Sequence, residues 1–222
     1  MARVAFVVVE VDSEHSNQVG MFSDLAALAE KHGGQVLAHA PVGKVACLEP
    51  ATVSSGLLIA KWSDWDQAKA AAGGALLKHL EKSLPHGQKP TVLIAEGLPP
   101  EGLPEMMAVP TVASVPKPPM GLRNMFLLIR GSAWEQAKLD AYRDVILPMH
   151  KERGGYYESF AIAPGQVEAV SGKWTEQIFA ISRWPTRASA EDFWFSQRYQ
   201  TVAIPLRLGA GRFAVHALEA SS

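Results

Sequence analysis

Apolar positions along the chain change period several times, and those changes mark out its elements. Val4 to Val11 is an unbroken run rich in β-branched residues, the pattern of a strand covered on both faces. From Asp12 to Lys31 the period becomes helical, through Val19, Phe22, Leu25, Ala26, Leu28 and Ala29, and His32-Gly33-Gly34 ends the helix with a residue able to take positive φ. Strands are predicted at Gln35 to Ala40, Val45 to Glu49, Leu57 to Trp62 and Pro90 to Glu96. Ser63-Asp64 supplies the cap of a helix over Trp65 to Ser83.

Residues 97–123 break this rhythm. Pro99, Pro100, Pro104, Pro110, Pro116, Pro118 and Pro119 crowd a stretch short of charge, which excludes both a helix and a central strand. A tether fits this composition. The Met106-Met107-Ala108-Val109 patch suggests that part of it packs, and a lid over a pocket fits as well. Beyond it the earlier order returns. Strands are predicted at Met125 to Arg130, Tyr156 to Ala163, Val167 to Val170, Gln177 to Trp184 and Arg212 to Glu219, and helices at Ala133 to Arg153 and Ser189 to Leu208. Gly33-Gly34 and Gly154-Gly155 lie 121 residues apart, Trp62 and Trp184 122 apart, so one loop residue reconciles the two registrations. The expected organisation is a degenerate βαββαβ repeat over 1–96, a proline-rich linker over 97–123, and a second repeat over 124–222 that carries the function. A βαββαβ unit sets both helices on one face of an antiparallel sheet and leaves the other bare. The fold class expected is therefore α+β, with two ferredoxin-like repeats packed sheet to sheet as a single-chain barrel.

Composition narrows the partners. The 222 residues are 48% hydrophobic with a formal net charge of −1, and Lys and Arg form no run, so nucleic acid is not an expected partner. No apolar run approaches the ~20 residues that cross a bilayer, and Glu10 and Asp12 close the first apolar run before a cleavage site for a signal peptide appears. Cys47 is the single cysteine, so no internal disulfide forms, and a reducing cytoplasm is the expected location. The seven histidines lack metal-ligand spacing. Gly209-Ala210-Gly211 followed by Ala214 imitates a dinucleotide fingerprint, but it follows a helix and precedes a strand, the reverse of the required order.

Gly154-Gly155, the segment Glu168 to Gly172, Arg183-Trp184-Pro185-Thr186, Trp194, Ser196-Gln197-Arg198-Tyr199 and Arg207 together resemble the dimeric α+β barrel superfamily, in particular its subgroup of uncharacterised small domains. The likeness covers 125–219 well and 3–96 in outline. It departs at Thr186, where the subgroup has serine, and at Trp62-Ser63-Asp64, which lacks the proline. The resemblance implies a small-molecule protein, but its members range over cofactor-free monooxygenases, cyclases, isomerases, haem enzymes and stress proteins.

Candidate chemistry concentrates in the second repeat, where Phe193-Trp194-Phe195 stands opposite Ala71-Ala72-Gly73 of the first. His150 follows Ile146 by one helical turn and His216 shares a strand face with Ala214 and Leu218. These histidines, Arg183 and Tyr142 are the candidate catalytic groups. Arg130, Tyr157, Phe193, Trp194 and Tyr199 are the candidate substrate-binding residues. Each would serve equally as packing, and the arginines would equally pair with Glu158, Glu168 or Asp140. Glu49 and Glu168 are read as corresponding residues with a role in the fold. The expected function is a cofactor-independent enzyme moving a proton on a small hydrophobic, aromatic or carbonyl-bearing metabolite, of isomerase, lyase or cyclase type. A non-catalytic binding or stress protein is the alternative, and a cofactor-free monooxygenase or haem enzyme the third. Association as a homodimer stays open.

Overall fold

The computed structural model describes residues 3–12, 20–49, 55–99, 109–115 and 121–221. The first half runs β1 (Ala5–Asp12), α1 (Met21–Lys31), β2 (Gln35–Ala40), β3 (Ala46–Cys47), β4 (Ser55–Trp62), α2 (Trp65–Ala71), a π-helical turn (Ala72–Leu76), α3 (Leu77–Ser83) and β5 (Thr91–Glu96). The second runs β6 (Met125–Ala133), α4 (Gln136–Glu152), β7 (Tyr156–Ala161), β8 (Val167–Ser171), β9 (Ile178–Trp184), α5 (Arg187–Trp194), another π-helical turn (Tyr199–Ala203), α6 (Ile204–Arg207) and β10 (Gly211–Glu219).

These strands form two five-stranded sheets, in the orders β2-β4-β1-β5-β8 and β3-β10-β6-β9-β7. All the ladders are antiparallel. The sheets pack face to face with helices outside, the α+β barrel that the order of elements predicts. Alternation explains why β1 is apolar on both faces from Ala5 to Val9. Val7 and Val9 join Phe22, Leu25, Trp62 and Leu76 in the layer under the first helices. Phe6 and Val8 join Phe126, Leu128, Phe179 and Ile181 between the sheets. Each face of a strand thus has its own core.

The short extra strand of each half pairs with the sheet of the other. Cys47 lies opposite His216 on β10, and Leu93 on β5 opposite Ala169 of β8. The predicted strand Val45 to Glu49 shrinks to Ala46–Cys47, the two residues that pair in a ladder with β10. The ladders also separate two residues read as equivalent. Glu168 lies opposite Ile94 and Ala46 opposite Ala217, so Ala46 rather than Glu49 holds the place of Glu168.

Two predicted helices change form. The first begins at Met21, after Asp12 has been taken into β1; Val19 lies outside the described residues. The helix predicted over Ser189 to Leu208 stops at Trp194. Ser196 Oγ donates to the Phe193 carbonyl at 2.8 Å and accepts from the Tyr199 amide at 3.2 Å, which closes one helical run and caps the next. Of the proline-rich stretch, 100–108 and 116–120 lie outside the described residues, Met106 to Ala108 among them. Val109 packs with Leu147, Tyr157 and Ala180, and the Tyr157 amide donates to the Pro110 carbonyl at 2.9 Å. Among the described residues no helix is long and apolar enough to cross a membrane.

Candidate functional site

A cavity of about 540 Å³ lies between the outer face of the second sheet, α4 and the helical segments that follow β9. Leu127 and Ile129 of β6, Ala180 of β9 and Val215 of β10 form its floor. Tyr142, Ile146 and His150 of α4 form one wall, and Phe193, Trp194, Tyr199 and Arg207 the other. The spacing of four from Ile146 to His150 sets both on the inner face of α4. In the first half the corresponding layer is filled by Met21, Phe22, Leu25, Trp62, Leu76 and Leu80.

His150 is 3% exposed. Its Nδ1 lies 2.9 Å from the Ile146 carbonyl oxygen, an acceptor, so Nδ1 carries the proton and Nε2 keeps its lone pair. Burial first, and then Arg153, lower its pKa from 6.5 to about 4, although the bond to the Ile146 carbonyl pulls the other way. The ring is therefore neutral at neutral pH and basic at one nitrogen. Tyr157, Trp184 and Phe193 surround it at centroid distances of 4.9, 4.6 and 4.4 Å.

The polar wall is built from both halves. Tyr142 and Tyr199 place their hydroxyls 3.1 Å apart. Burial raises the pKa of each, with Arg207 opposing, so both remain protonated donors. The Arg207 guanidinium lies 5.6 Å from the Tyr142 and Trp194 ring centroids and 5.4 Å from that of Phe213. Burial disfavours its charge, but Tyr142, Tyr199 and Glu49 outweigh that and raise its pKa. Glu49 Oε1 accepts from Arg207 Nη2. It arrives from the first half along β3, whose continuation is held where the Leu48 amide donates to the Val215 carbonyl at 2.9 Å.

Six of the residues singled out from sequence therefore meet in this cavity: Tyr142, His150, Tyr157, Phe193, Trp194 and Tyr199. Arg130, Arg183 and His216 do not. Strand alternation turns them to the opposite face of the sheet, between the two sheets. There Arg130 pairs with Glu10 at 2.6 Å. Arg183 lies 3.2 Å from Glu158, which also holds Lys61 at 2.9 Å. His216 is fully buried, with no partner for either ring nitrogen among the described residues. Burial lowers its pKa, and Arg130 adds to that while Glu10 opposes it. The juxtaposition of Arg130 or Arg183 with His150 in one pocket is corrected accordingly: the guanidinium among the cavity's aromatic rings belongs to Arg207. A single charge among apolar neighbours in Ile204-Pro205-Leu206-Arg207-Leu208 was the available signal for it. Glu49 carried none, since its partner lies 158 positions away. Among the described residues no His, Cys, Asp and Glu cluster is arranged for a metal ion.

Residues 126–220 match the profile of a domain of unknown function (DUF1330). No curated protein matches the chain. Among solved structures, a candidate monooxygenase from Fusobacterium nucleatum subsp. nucleatum superposes over 100% of this chain and 94% of its own, with a TM-score of 0.59 and 6% identity. An anthrone oxidase-like protein covers 100% and is itself covered to 92%, with a TM-score of 0.53 and 10% identity. Chlorite dismutase from Candidatus Nitrospira defluvii gives 99% and 91%, with a TM-score of 0.51 and 12% identity. At these identities the likeness is one of fold, and the described residues have the α+β barrel architecture of these proteins.

Proposed function

We propose that the chain is an enzyme whose second half, 124–222, binds a small and largely apolar ligand bearing a carbonyl or phenol, and moves a proton with His150. In this reading 1–96 is a duplicated copy kept as scaffold and 97–123 the connection, and a reducing compartment such as the cytoplasm suits the exposed thiol of Cys47. One observation carries the proposal. A histidine held neutral, with Nδ1 committed to a carbonyl and the lone pair left on Nε2, lines an apolar cavity that also holds two protonated tyrosine hydroxyls, Tyr142 on its own helix and Tyr199 on the facing wall. Nε2 takes a proton from carbon next to the ligand carbonyl, and a tyrosine hydroxyl donates to the enolate oxygen that results. Returning the proton elsewhere gives isomerisation, and expelling a leaving group gives a lyase.

A second reading shares this first step. The fold likeness to a candidate monooxygenase and an anthrone oxidase-like protein suits a carbanion that passes electrons to dioxygen.

The test is proton exchange. A panel of aromatic ketones and phenols is incubated with the protein in deuterated buffer, and exchange at the acidic carbon is followed by NMR alongside oxygen uptake. Wild type exchanges a member of the panel, and His150→Ala exchanges it about 10²- to 10⁴-fold more slowly. Oxygen uptake would select the second reading. Binding without exchange would make this a carrier, and exchange unaffected by His150→Ala would remove the assigned base.

A further inference from the structure

We propose that Glu49 sets the charge selectivity of the second-half cavity: by neutralising Arg207 it makes the cavity favour neutral aromatic carbonyl ligands over aromatic carboxylates. The inference rests on the cavity being a ligand site and adds the class of ligand it admits.

The argument is a charge balance over the lining. Its charged residues at neutral pH are Asp140, Arg143 and Arg207, with His150 neutral. Arg143 Nη1 lies 2.9 Å from Asp140 Oδ1 on the same helix. Arg207, whose side chain is 6% exposed, is bound by Glu49, whose side chain is 21% exposed. Each cation facing the cavity thus already has a carboxylate. A ligand carboxylate entering there would lose its water without gaining a free counter-charge, a cost of several kcal/mol for an unpaired buried ion. A neutral carbonyl meets no such barrier, because the Tyr142 and Tyr199 hydroxyls are donors it can use. Glu49 acts through Arg207 and is a positioning residue of an unusual kind. It is supplied across the barrel by the other half, so the second half cut from the first would present Arg207 bare and select the opposite charge.

The experiment uses the full chain and two probes of similar shape, 2-acetonaphthone and 2-naphthoate, with affinities measured by calorimetry. Wild type is expected to prefer the ketone by about tenfold or more. Glu49→Gln keeps the size and one amide oxygen toward Arg207 but loses the charge, and is expected to move the ratio toward the carboxylate by about tenfold or more, since a freed guanidinium makes charge-assisted bonds to it. Glu49→Gln combined with Arg207→Gln should return the preference to the ketone. An unchanged ratio, or equal weakening of both probes, would overturn the proposal in favour of a purely structural role. A second arm needs no ligand. The Glu49 charge raises the pKa of Tyr142 and Tyr199, so in Glu49→Gln tyrosinate absorbance should appear at lower pH than in wild type. No change there would overturn the coupling to Arg207. A shift in the tyrosinate titration with neither probe bound by any variant would overturn the ligand-site reading, and this inference with it.

Discussion

The imidazole of His150 is 3% exposed, and its pKa of about 4 in the folded chain lies below the ordinary 6.5 that it regains on unfolding. The unfolded state therefore takes up the proton first as pH falls. The neutral ring contributes stability that is complete above pH 6.5 and is lost progressively down to about pH 4, below which the loss levels off. A shift of this size corresponds to about 3 kcal/mol. His150→Leu removes the titration, so between pH 6.5 and 4 the unfolding free energy of wild type should fall about 3 kcal/mol further than that of the variant. Parallel pH profiles in urea titrations would show that His150 is already charged in the fold. Residue identity was partly legible beforehand: a histidine on the apolar stripe of a helix, among aromatics, stood out. The face on which Arg130, Arg183 and His216 lie was not legible. In a strand with a core on each side both parities are apolar, as Leu127 and Leu128 show, so period two carries no label for which side is which.

At the level of elements, each half uses the same joint. A Cβ added to Gly34 would come within 2.4 Å of the Trp62 ring, and one added to Gly155 within 2.7 Å of the Trp184 ring. Trp62 is 1% exposed and Trp184 fully buried, so neither indole has room to retreat. Gly155 has no positive φ, and contact alone makes glycine necessary there. Gly155→Ala should lower stability by about 1–3 kcal/mol, as overpacking does, and Trp184→Phe in the same chain should recover part of that. A Gly155→Ala protein with unchanged thermal midpoint would show the contact to be soft. This joint was readable, because two glycines and a tryptophan recur at matching distances. The π-helical turns at Ala72–Leu76 and Tyr199–Ala203 were not. They shift the helical frame by about one residue within an unchanged apolar pattern. One consequence is local: Gly73 and Gly74 lie within the first turn, where an added Cβ would meet Val170 at 3.5 Å or nothing at all, so close approach is not what placed them there.

On the scale of the whole molecule, the sheets are joined by apolar packing and, among the described residues, by ion pairs that include Lys61 with Glu158 and a more deeply placed pair, Glu10 with Arg130. Glu10 and Arg130 hold equivalent positions on β1 and β6 and meet at 2.6 Å, with side chains 9% and 12% exposed. Glu10→Gln strands a buried guanidinium and should cost about 3–5 kcal/mol, whereas Glu10→Leu with Arg130→Met removes both charges and should cost much less. If Glu10→Gln matched wild type in chemical denaturation, water would have to be reaching the seam. The barrel itself followed from the sequence, because strands apolar on both faces require a second sheet and the repeated order supplies one. The crossing of β3 and β8 did not follow, since a strand of two residues carries almost no pattern.

That crossing has a consequence in time. On the ribosome, β5 is complete at Glu96, but the strand that covers its edge begins only at Val167, 71 positions later (167 − 96). Throughout that interval the nascent first half presents an unpaired edge to its surroundings, the condition under which strands recruit other chains. The yield of folded protein should therefore depend on how quickly translation passes through the proline-rich segment and delivers the second half, and a pause there would favour aggregation without altering a single contact of the finished molecule.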